Sequence, residues 1–245
     1  MSQNDKFSPS PHYSWSSDLF DSQILSINVA KIDSIERGSD IANLITDLEN
    51  NKIDYATYRV KSDNFQIIQA LEKNGFILVD GLISLVKEGL KQEDIEDSKI
   101  FIAKKEEGSQ LIKLAGEVFF LNRLYNDSFI SRQKANAFYQ KWMENSLKKS
   151  VADEVFVYRE AGKVFGFITL KNNGHIPLLG VSKEKRGKGI AKMLVRQALT
   201  AFCALNLDKA YIETQISNIA ALRVYTALGF KIIDSHLTFS WHKNG

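Results

Sequence analysis

The chain has 245 residues, enough for one large domain or two modest ones. A hydrophobic content of 44% is ordinary for a globular protein, and a net charge of only +3 gives no support to a nucleic-acid-binding face. The single cysteine, Cys203, excludes an internal disulfide and a multi-cysteine zinc site, and no metal cofactor is expected.

The N-terminal segment, residues 1–18, is polar and rich in serine. It lacks the apolar core of a signal peptide. No apolar run in the chain approaches about 20 residues, the length that a membrane-spanning helix needs. These features predict a cytoplasmic protein without a membrane partner.

Two segments of the chain share one pattern, which is a helix, a glycine that ends it, and a strand that opens with phenylalanine. Residues 64–78 read NFQIIQALEKNGFIL and residues 218–232 read NIAALRVYTALGFKI. Superposing the segments aligns four pairs of identical residues: Asn64 with Asn218, Gly75 with Gly229, Phe76 with Phe230, and Asp80 with Asp234. The repeat predicts two related domains.

The first of these domains is interpreted as degenerate. Leu71 stands where the second copy has Tyr225, and the first copy has no counterpart of the glycine-rich loop described below. The charged segment 87–99 is a plausible linker, so the predicted domains are residues 1–95 and residues 96–245.

The second half alternates strands and helices. Three strands are predicted first, at residues 155–158, 164–170 and 176–181, and a glycine-containing loop follows at residues 181–191. After the loop come a helix at 190–199, a strand at 209–215, a helix at 218–228 and a strand at 230–241. The first two strands predict a hairpin. The order predicts a mixed α/β layer.

The loop at residues 181–191, VSKEKRGKGIA, joins a strand to a helix. Its glycines let the backbone approach an anion, and the first N–H groups of the helix point outward at the positive end of its dipole. This arrangement predicts a diphosphate-binding site. Four basic residues add charge for a further phosphate: Lys183, Lys185, Arg186 and Lys188.

Two other phosphate motifs do not fit this loop. A Walker A motif is absent, and Lys192 stands where the third glycine of a dinucleotide-binding fingerprint belongs. Taken alone, the loop is equally compatible with a tight turn that carries solvated lysines.

A second pattern decides between these interpretations. Residues 186–191, RGKGIA, have the form R/Q-x-x-G-x-G/A, and residues 218–230 have the form N-x-x-A-x-x-x-Y-x-x-x-G-F. In this order the two patterns resemble the GNAT superfamily. The resemblance implies an acetyl-CoA-dependent N-acetyltransferase. It also implies an α/β GNAT fold, with a mixed, mostly antiparallel central sheet flanked by helices, after a degenerate GNAT-like α/β N-terminal domain.

The same resemblance implies a set of site residues. The strand 179–181 would pair with pantetheine, and one of its N–H groups would polarise the thioester carbonyl. Tyr225 is the expected general acid for the departing thiolate. A tyrosine has an ordinary pKa of about 10 and a thiol about 8.5, so this proton transfer is uphill by about 2 kcal/mol, and a modestly depressed tyrosine pKa would remove that penalty. The residues expected to contact the coenzyme are Leu179, Gly180, Val181, Arg186, Gly187, Lys188, Gly189, Ile190, Ala191, Asn218 and Ala221.

A narrower resemblance concerns the acceptor. Residues 213–218, ETQISN, and 122–127, NRLYND, are similar to the group of dTDP-fucosamine acetyltransferases, which acetylate a nucleotide-linked 4-amino-4,6-dideoxy sugar. Asn122 and Leu124 depart from that group's pattern. The resemblance implies a role in surface-glycan synthesis, a nucleotide-sugar amine as substrate, and a homodimer. The expected acceptor-binding residues are Arg123, Asp127, Trp142, Thr214 and Gln215.

Several alternatives stay open. Glu213, His175 or a water relay is each compatible with the role of general base. The acceptor is either an amino sugar or another amine, such as a small molecule or a protein N-terminus. A non-catalytic acyl-CoA-binding module is the alternative outside the enzymes, and the length of the acyl group is not determined.

Overall fold

The computed structural model describes residues 12–91 and 99–243. The start of the N-terminal polar segment and most of the charged segment 87–99 lie outside the described residues. None of the described helices is long and apolar enough to cross a bilayer.

The described chain forms eleven strands, eight α-helices and three short 3-10 turns. The strands are β1 (Tyr13–Ser17), β2 (Val29–Ile35), β3 (Tyr55–Lys61), β4 (Ile77–Glu88), β5 (Ile100–Ile102), β6 (Glu154–Glu160), β7 (Lys163–Leu170), β8 (His175–Ile176), β9 (Leu179–Val181), β10 (Lys209–Gln215) and β11 (Lys231–His242). The helices are α1 (Leu19–Leu25), α2 (Ile41–Asn50), α3 (Phe65–Lys73), α4 (Gly108–Val118), α5 (Arg123–Asn126), α6 (Arg132–Leu147), α7 (Ile190–Ala204) and α8 (Ile219–Ala227).

The chain divides into two compact units, and the division differs from the predicted one. The first unit contains residues 1–79 and 237–245, and the second contains residues 80–236. The boundary therefore falls inside β4 rather than at residue 95. The reason is that β4 pairs from Leu82 onward with β10, so its backbone hydrogen bonds belong to the second unit.

The first unit contains a sheet against which α2 and α3 pack. Its strand order is β1-β2-β3-β11, in which β11 contributes the residues from Leu237 onward. β1 and β2 are antiparallel, whereas β2 and β3 are parallel. Alternate strand residues such as Ile32 and Phe239 pack against Leu44 of α2 and Leu71 of α3, which are all fully buried or nearly so.

The repeated sequence pattern corresponds to a repeated helix start. The Asn64 side chain accepts a hydrogen bond from the N–H of Ile67 at 3.3 Å, and the Asn218 side chain accepts one from Ala221 at 3.2 Å. Both asparagines are therefore helix N-caps, one for α3 and one for α8.

The ends of the two helices are also alike. Gly75 has φ +80° and Gly229 has φ +84°, which only glycine adopts freely. In both segments the next residue, a phenylalanine, donates its N–H to the carbonyl five residues earlier at 3.0 Å. The predicted helix–glycine–strand pattern is confirmed in both segments.

The second unit contains two groups of strands. One group has the order β5-β6-β7-β9 and is antiparallel throughout, and the other has the order β4-β10-β8. The hairpin between β6 and β7 is confirmed, and it turns at Ala161 and Gly162, which both have positive φ.

The predicted single strand at residues 176–181 is instead two strands. β8 runs parallel to β10, while β9 pairs antiparallel with β7. Pro177 lies between them and has no N–H to donate to a ladder, so the chain leaves one group of strands and joins the other at this point.

Helix α7 supplies much of the core of the second unit. Its buried side chains recur at helical spacing: Ile190, Leu194, Val195, Ala198, Leu199 and Phe202. The predicted helix is confirmed and runs five residues beyond the predicted end.

Candidate active site

A cavity of about 660 Å³ lies within the second unit. It is bounded by β9, the glycine loop, the first turn of α7, the end of β10, the N-terminal part of α8, and the residues that follow α4. Eleven of the twelve predicted coenzyme and catalytic residues line this cavity, and so does Gln215, a predicted acceptor residue. The lining residues that the sequence predicted are Leu179, Gly180, Val181, Arg186, Gly187, Gly189, Ile190, Ala191, Gln215, Asn218, Ala221 and Tyr225.

Strand β9 forms one wall of the cavity. Gly180 pairs with Phe167 of β7, and β9 is the last strand in its order. In the described part of the chain, the outer edge of β9 is therefore not paired with another strand. An extended amide-containing chain can add to such an edge through backbone hydrogen bonds.

Gly180 is required by close packing. A Cβ at this position would lie 2.7 Å from the Phe167 ring and 2.8 Å from Val118. We expect Gly180→Ala to lower the free energy of unfolding by about 1–3 kcal/mol, as overpacked sites do, in urea or thermal unfolding. Gly108→Ala is the matched control, because its Cβ would meet only Leu147, at 3.7 Å, and should leave stability unchanged or slightly higher. Equal stability of both variants would contradict the packing argument.

The glycine loop forms another wall of the cavity. Gly187 and Gly189 have φ +76° and +78°, and a Cβ at either would meet nothing within 4 Å. Backbone conformation, rather than space, therefore requires glycine here. Gly189 is the N-cap of α7 and makes no side-chain cap, so no side chain caps the first N–H groups of this helix beside the cavity. A helix start of this kind can accept an anion, so the predicted anion-binding site stays a prediction at this place.

Arg186 connects the loop to its neighbours. Its Nε donates to the Val181 carbonyl at 3.2 Å and its Nη2 to the Val118 carbonyl at 3.4 Å. The guanidinium also lies 5.3 Å from the centre of the Phe120 ring. The side chain thus holds the loop against β9 and the end of α4 while it lines the cavity.

The lysines of the loop have different surroundings. Lys185 lines the cavity, forms an ion pair with Glu160, and lies 4.6 Å from the centre of the Phe165 ring. Lys188, a predicted coenzyme contact, is exposed and lies outside the lining. The loop turns at the glycines on either side of Lys188, so its side chain faces solvent rather than the cavity.

Asn218 lines the cavity as the N-cap of α8. Its Nδ2 also donates to Thr214 Oγ1 at 3.1 Å. Thr214, a predicted acceptor contact, is buried with Ile212 on the inner face of β10 and does not line the cavity. Side chains alternate along a strand, so the next residue, Gln215, is the one that reaches the lining.

The two N-cap asparagines allow a matched test. Asn218→Ala and Asn64→Ala should each cost about 0.5–2 kcal/mol of stability, because each removes one cap. Only Asn218→Ala should also weaken coenzyme A binding, since only Asn218 lines the cavity. Calorimetric titration of both variants measures this difference. Equal coenzyme affinities would show that the asparagine at residue 218 acts only as a cap.

Tyr225 reaches the cavity from α8 and is only 4% exposed. Burial raises the pKa of its hydroxyl above the ordinary value of 10.0. The pKa of Tyr225 is therefore not depressed, which is the change that would have removed the penalty for proton transfer. The reason is that the surroundings remove water without supplying a cation that would stabilise the phenolate.

Three predicted acceptor residues lie around α5 and α6, outside the lining. The Arg123 guanidinium lies 5.5 Å from the centre of the Phe138 ring, and Trp142 packs edge-on against the same ring. Asp127 is buried, and its Oδ1 accepts the N–H of Phe129 at 3.0 Å, which closes the turn after α5. The structure thus brings Arg123 and Trp142 together and gives Asp127 a structural contact.

The two candidate bases also lie outside the lining. Glu213 is exposed and accepts a hydrogen bond from Ser84 at 3.0 Å. Burial lowers the pKa of His175, and Glu213 acts on it in the opposite direction. In the part of the chain that the structure describes, no group of three or more histidine, cysteine, aspartate or glutamate side chains is arranged to hold a metal ion.

One wall of the cavity was missed by the sequence analysis. Residues 118–121, the last residue of α4 and the three after it, line it, and Phe119 stacks on Tyr139 with ring centres 4.4 Å apart. No motif marks this segment. The only local sign is a pair of phenylalanines directly after an amphipathic helix.

The chain is similar in sequence and in fold to known acetyltransferases. Residues 126–243 match the family model described as "Acetyltransferase (GNAT) domain". A dTDP-fucosamine acetyltransferase from Escherichia coli O6:H1 is 25% identical over 179 residues, covering 71% of this chain and 75% of that protein. N-alpha-acetyltransferase 30 from Xenopus laevis is 39% identical over 72 residues, covering 29% of this chain and 26% of that protein. The crystal structure of a GCN5-related N-acetyltransferase from Sphaerobacter thermophilus has a TM-score of 0.66 at 11% identity, covering 94% of this chain and 76% of that one.

The family match places this domain in a class of acyltransferases that use a coenzyme A thioester, and GNAT domains use acetyl-CoA as the donor. The chain contains a GNAT acetyltransferase domain at residues 126–243 and has the α/β fold of such proteins, a mixed and mostly antiparallel sheet flanked by helices.

Proposed function

We propose that the protein transfers the acetyl group of acetyl-CoA to the amine of a nucleotide-linked amino-deoxy sugar, with Tyr225 as the general acid. The observation that carries this proposal is that the glycine loop, the outer edge of β9 and Tyr225 meet in one cavity.

Two parts of the cavity lining offer backbone groups to the coenzyme. The glycine loop and the first turn of α7 offer backbone N–H groups to the linked phosphates. Next to the loop, the outer edge of β9 offers backbone groups to the two amides of pantetheine. Together these contacts aim the thioester at the end of the cavity that Tyr225 reaches.

The chemistry follows from this position. The acceptor nitrogen forms a bond to the thioester carbonyl carbon, and a β9 N–H stabilises the oxyanion of the tetrahedral intermediate. The C–S bond then breaks and the Tyr225 hydroxyl gives its proton to the sulfur. The nitrogen loses a proton to water, and the tyrosinate recovers one. Because burial disfavours a thiolate as well as a phenolate, the raised pKa of Tyr225 does not oppose this transfer in a dry site.

The acceptor assignment is supported by the relative that covers most of the chain. That protein is named for dTDP-fucosamine, and the match extends over 71% of this chain. The region upstream of residue 126, which the GNAT domain does not include, is therefore partly shared with it. On this basis the substrate is an amino-sugar nucleotide.

A protein N-terminus is the second candidate acceptor. The 39% identity to an N-alpha-acetyltransferase favours it, but this identity extends over only 72 residues. A segment of that length can hold the coenzyme site without the acceptor site.

The test is an acceptor panel. The purified protein is incubated with acetyl-CoA and dTDP-linked 4-amino-4,6-dideoxy sugars, polyamines or short peptides, while free thiol release and product mass are followed. We expect turnover with an amino-sugar nucleotide. Activity on peptides alone would replace the sugar by a protein N-terminus, and no thiol release with any amine would overturn the enzymatic proposal.

A further inference from the structure

A buried carboxylate lies behind the cavity wall, outside the region matched by the family. Asp80 on β4 is only 9% exposed. Its Oδ1 accepts the N–H of Gly81 at 2.9 Å, and its Oδ2 lies 3.5 Å from Nε2 of Gln215, at the outer limit of a hydrogen bond. Gln215 itself lines the cavity.

The register of two strands brings these residues together. β4 and β10 are antiparallel, with Gln215 opposite Leu82. The N–H of Ile216 donates to the Gly81 carbonyl at 2.8 Å, which extends the pairing by one residue. Asp80 therefore lies at the end of β10 that borders the cavity, although the two residues are far apart in sequence.

An electrostatic effect on Tyr139 also relates Asp80 to this end of the cavity. Phe119 lines the cavity and stacks on Tyr139. Burial is the largest cause that raises the pKa of Tyr139, Arg123 lowers it, and Asp80 and Tyr125 raise it. Asp80 is thus close enough to Tyr139 to act on it electrostatically, with Arg123 in the same neighbourhood.

The charged side chains that line the cavity are all basic, whereas Asp80 next to the lining is acidic. The cavity is lined by four basic side chains: Lys185, Arg186, Lys192 and Arg223. No aspartate or glutamate is among the described residues that line it. Basic residues suit the phosphates of the coenzyme, whereas an amine that carries a positive charge in solution requires an acidic or carbonyl partner.

The carboxylate also restricts the Gln215 amide. An amide beside a carboxylate presents its N–H side to it, because the reverse orientation would place two oxygens against each other. The remaining group of Gln215, its carbonyl Oε1, is then the one that is available to the cavity.

We propose that Asp80 is a positioning residue of the acceptor site, which orients Gln215 so that its Oε1 accepts a hydrogen bond from the acceptor's amine. The inference rests on the proposed acetyl transfer and deepens it. It assigns the amine-binding contact to Gln215 and gives Asp80, which lies upstream of the region matched by the family, a part in acceptor binding.

The test compares kinetics of Asp80→Asn, Gln215→Leu and the double variant. We expect each single change to raise the acceptor KM about 10- to 100-fold, because a charge-assisted contact is lost, with a much smaller effect on kcat. The double variant should resemble Gln215→Leu, since Asp80 acts through Gln215. Calorimetry should give an unchanged affinity for coenzyme A. Asp208→Asn is the matched control, the same change at an exposed site next to β10 and outside the lining, and it should leave the acceptor KM within about twofold.

The outcomes separate this inference from the proposed function. An active wild-type protein with an unchanged acceptor KM in Asp80→Asn, or with additive effects in the double variant, would overturn the inference and leave the acetyl transfer intact. A wild-type protein that acetylates no amine would overturn both. If Asp80→Asn does not fold, the partly exposed Gln215→Leu decides the question, and an unchanged acceptor KM in that variant overturns the inference.

Discussion

Tyr225→Phe is expected to lower kcat by about 10²- to 10⁴-fold, the usual contribution of a general acid. The substitution removes only the hydroxyl and keeps the ring that packs beside Phe230, with ring centres 6.0 Å apart. Folding and coenzyme A affinity should therefore change little. Steady-state thiol release, together with calorimetric titration of the coenzyme, measures both quantities.

A control tests whether the loss is specific to this hydroxyl. Tyr211 lies on β10 of the same unit, is exposed, and does not line the cavity, so Tyr211→Phe should retain the wild-type rate. If Tyr225→Phe also retained it, Tyr225 would have no part in proton transfer.

The raised pKa of Tyr225 gives a further expectation for the pH profile. Burial raises this pKa above 10.0, so the hydroxyl keeps its proton throughout the neutral and mildly alkaline range. The kcat profile should then show no loss of activity from tyrosine ionisation below that value. A descending limb near pH 8 that disappears in Tyr225→Phe would contradict this assignment of the pKa.

Ala191→Glu is expected to raise the Kd for coenzyme A about 100-fold. Ala191 lies in the first turn of α7 and lines the cavity, so a carboxylate there would occupy the place of the phosphates. Two like charges about 4 Å apart repel by about 4 kcal/mol at an effective dielectric constant of about 20, and solvent screening reduces this value. Calorimetric titration measures the change.

The same substitution should not destabilise the fold. A negative charge in the first turn of a helix stabilises it by about 0.3–1 kcal/mol, so the melting temperature of Ala191→Glu should be unchanged or higher. Ala191→Gln is the matched control, because it has nearly the same size without the charge. If both variants weakened binding equally, the effect would be steric, and the proposed phosphate site would lose its electrostatic support.

Local backbone rules explain the parts of the fold that the sequence predicted correctly. The hairpin of β6 and β7, the helix ends at Gly75 and Gly229, and the loop before α7 are each contained in a few consecutive residues. Glycine, asparagine and the apolar period act over that range, so a short pattern is sufficient to identify them.

The alternation of side chains along a strand does not by itself show which face of the strand is buried. The alternation along β10 predicts that Thr214 and Gln215 point in opposite directions, but not which of them reaches the cavity. The sequence analysis assigned both to the acceptor site, and the structure buries Thr214. The packing of α7 against the sheet determines which face is inside.

By itself, the sequence determined the GNAT domain, the turn of the glycine loop and the place of Tyr225 in α8, because each depends on contiguous residues and short local patterns. Only the tertiary structure placed residues 118–121 at the cavity and Asp80 beside Gln215, set the unit boundary inside β4, and showed that burial raises the pKa of Tyr225. These features depend on strand register and on burial, which arise from many apolar contacts between distant parts of the chain. Such contacts are individually weak and chemically interchangeable, so they leave no short pattern in the sequence.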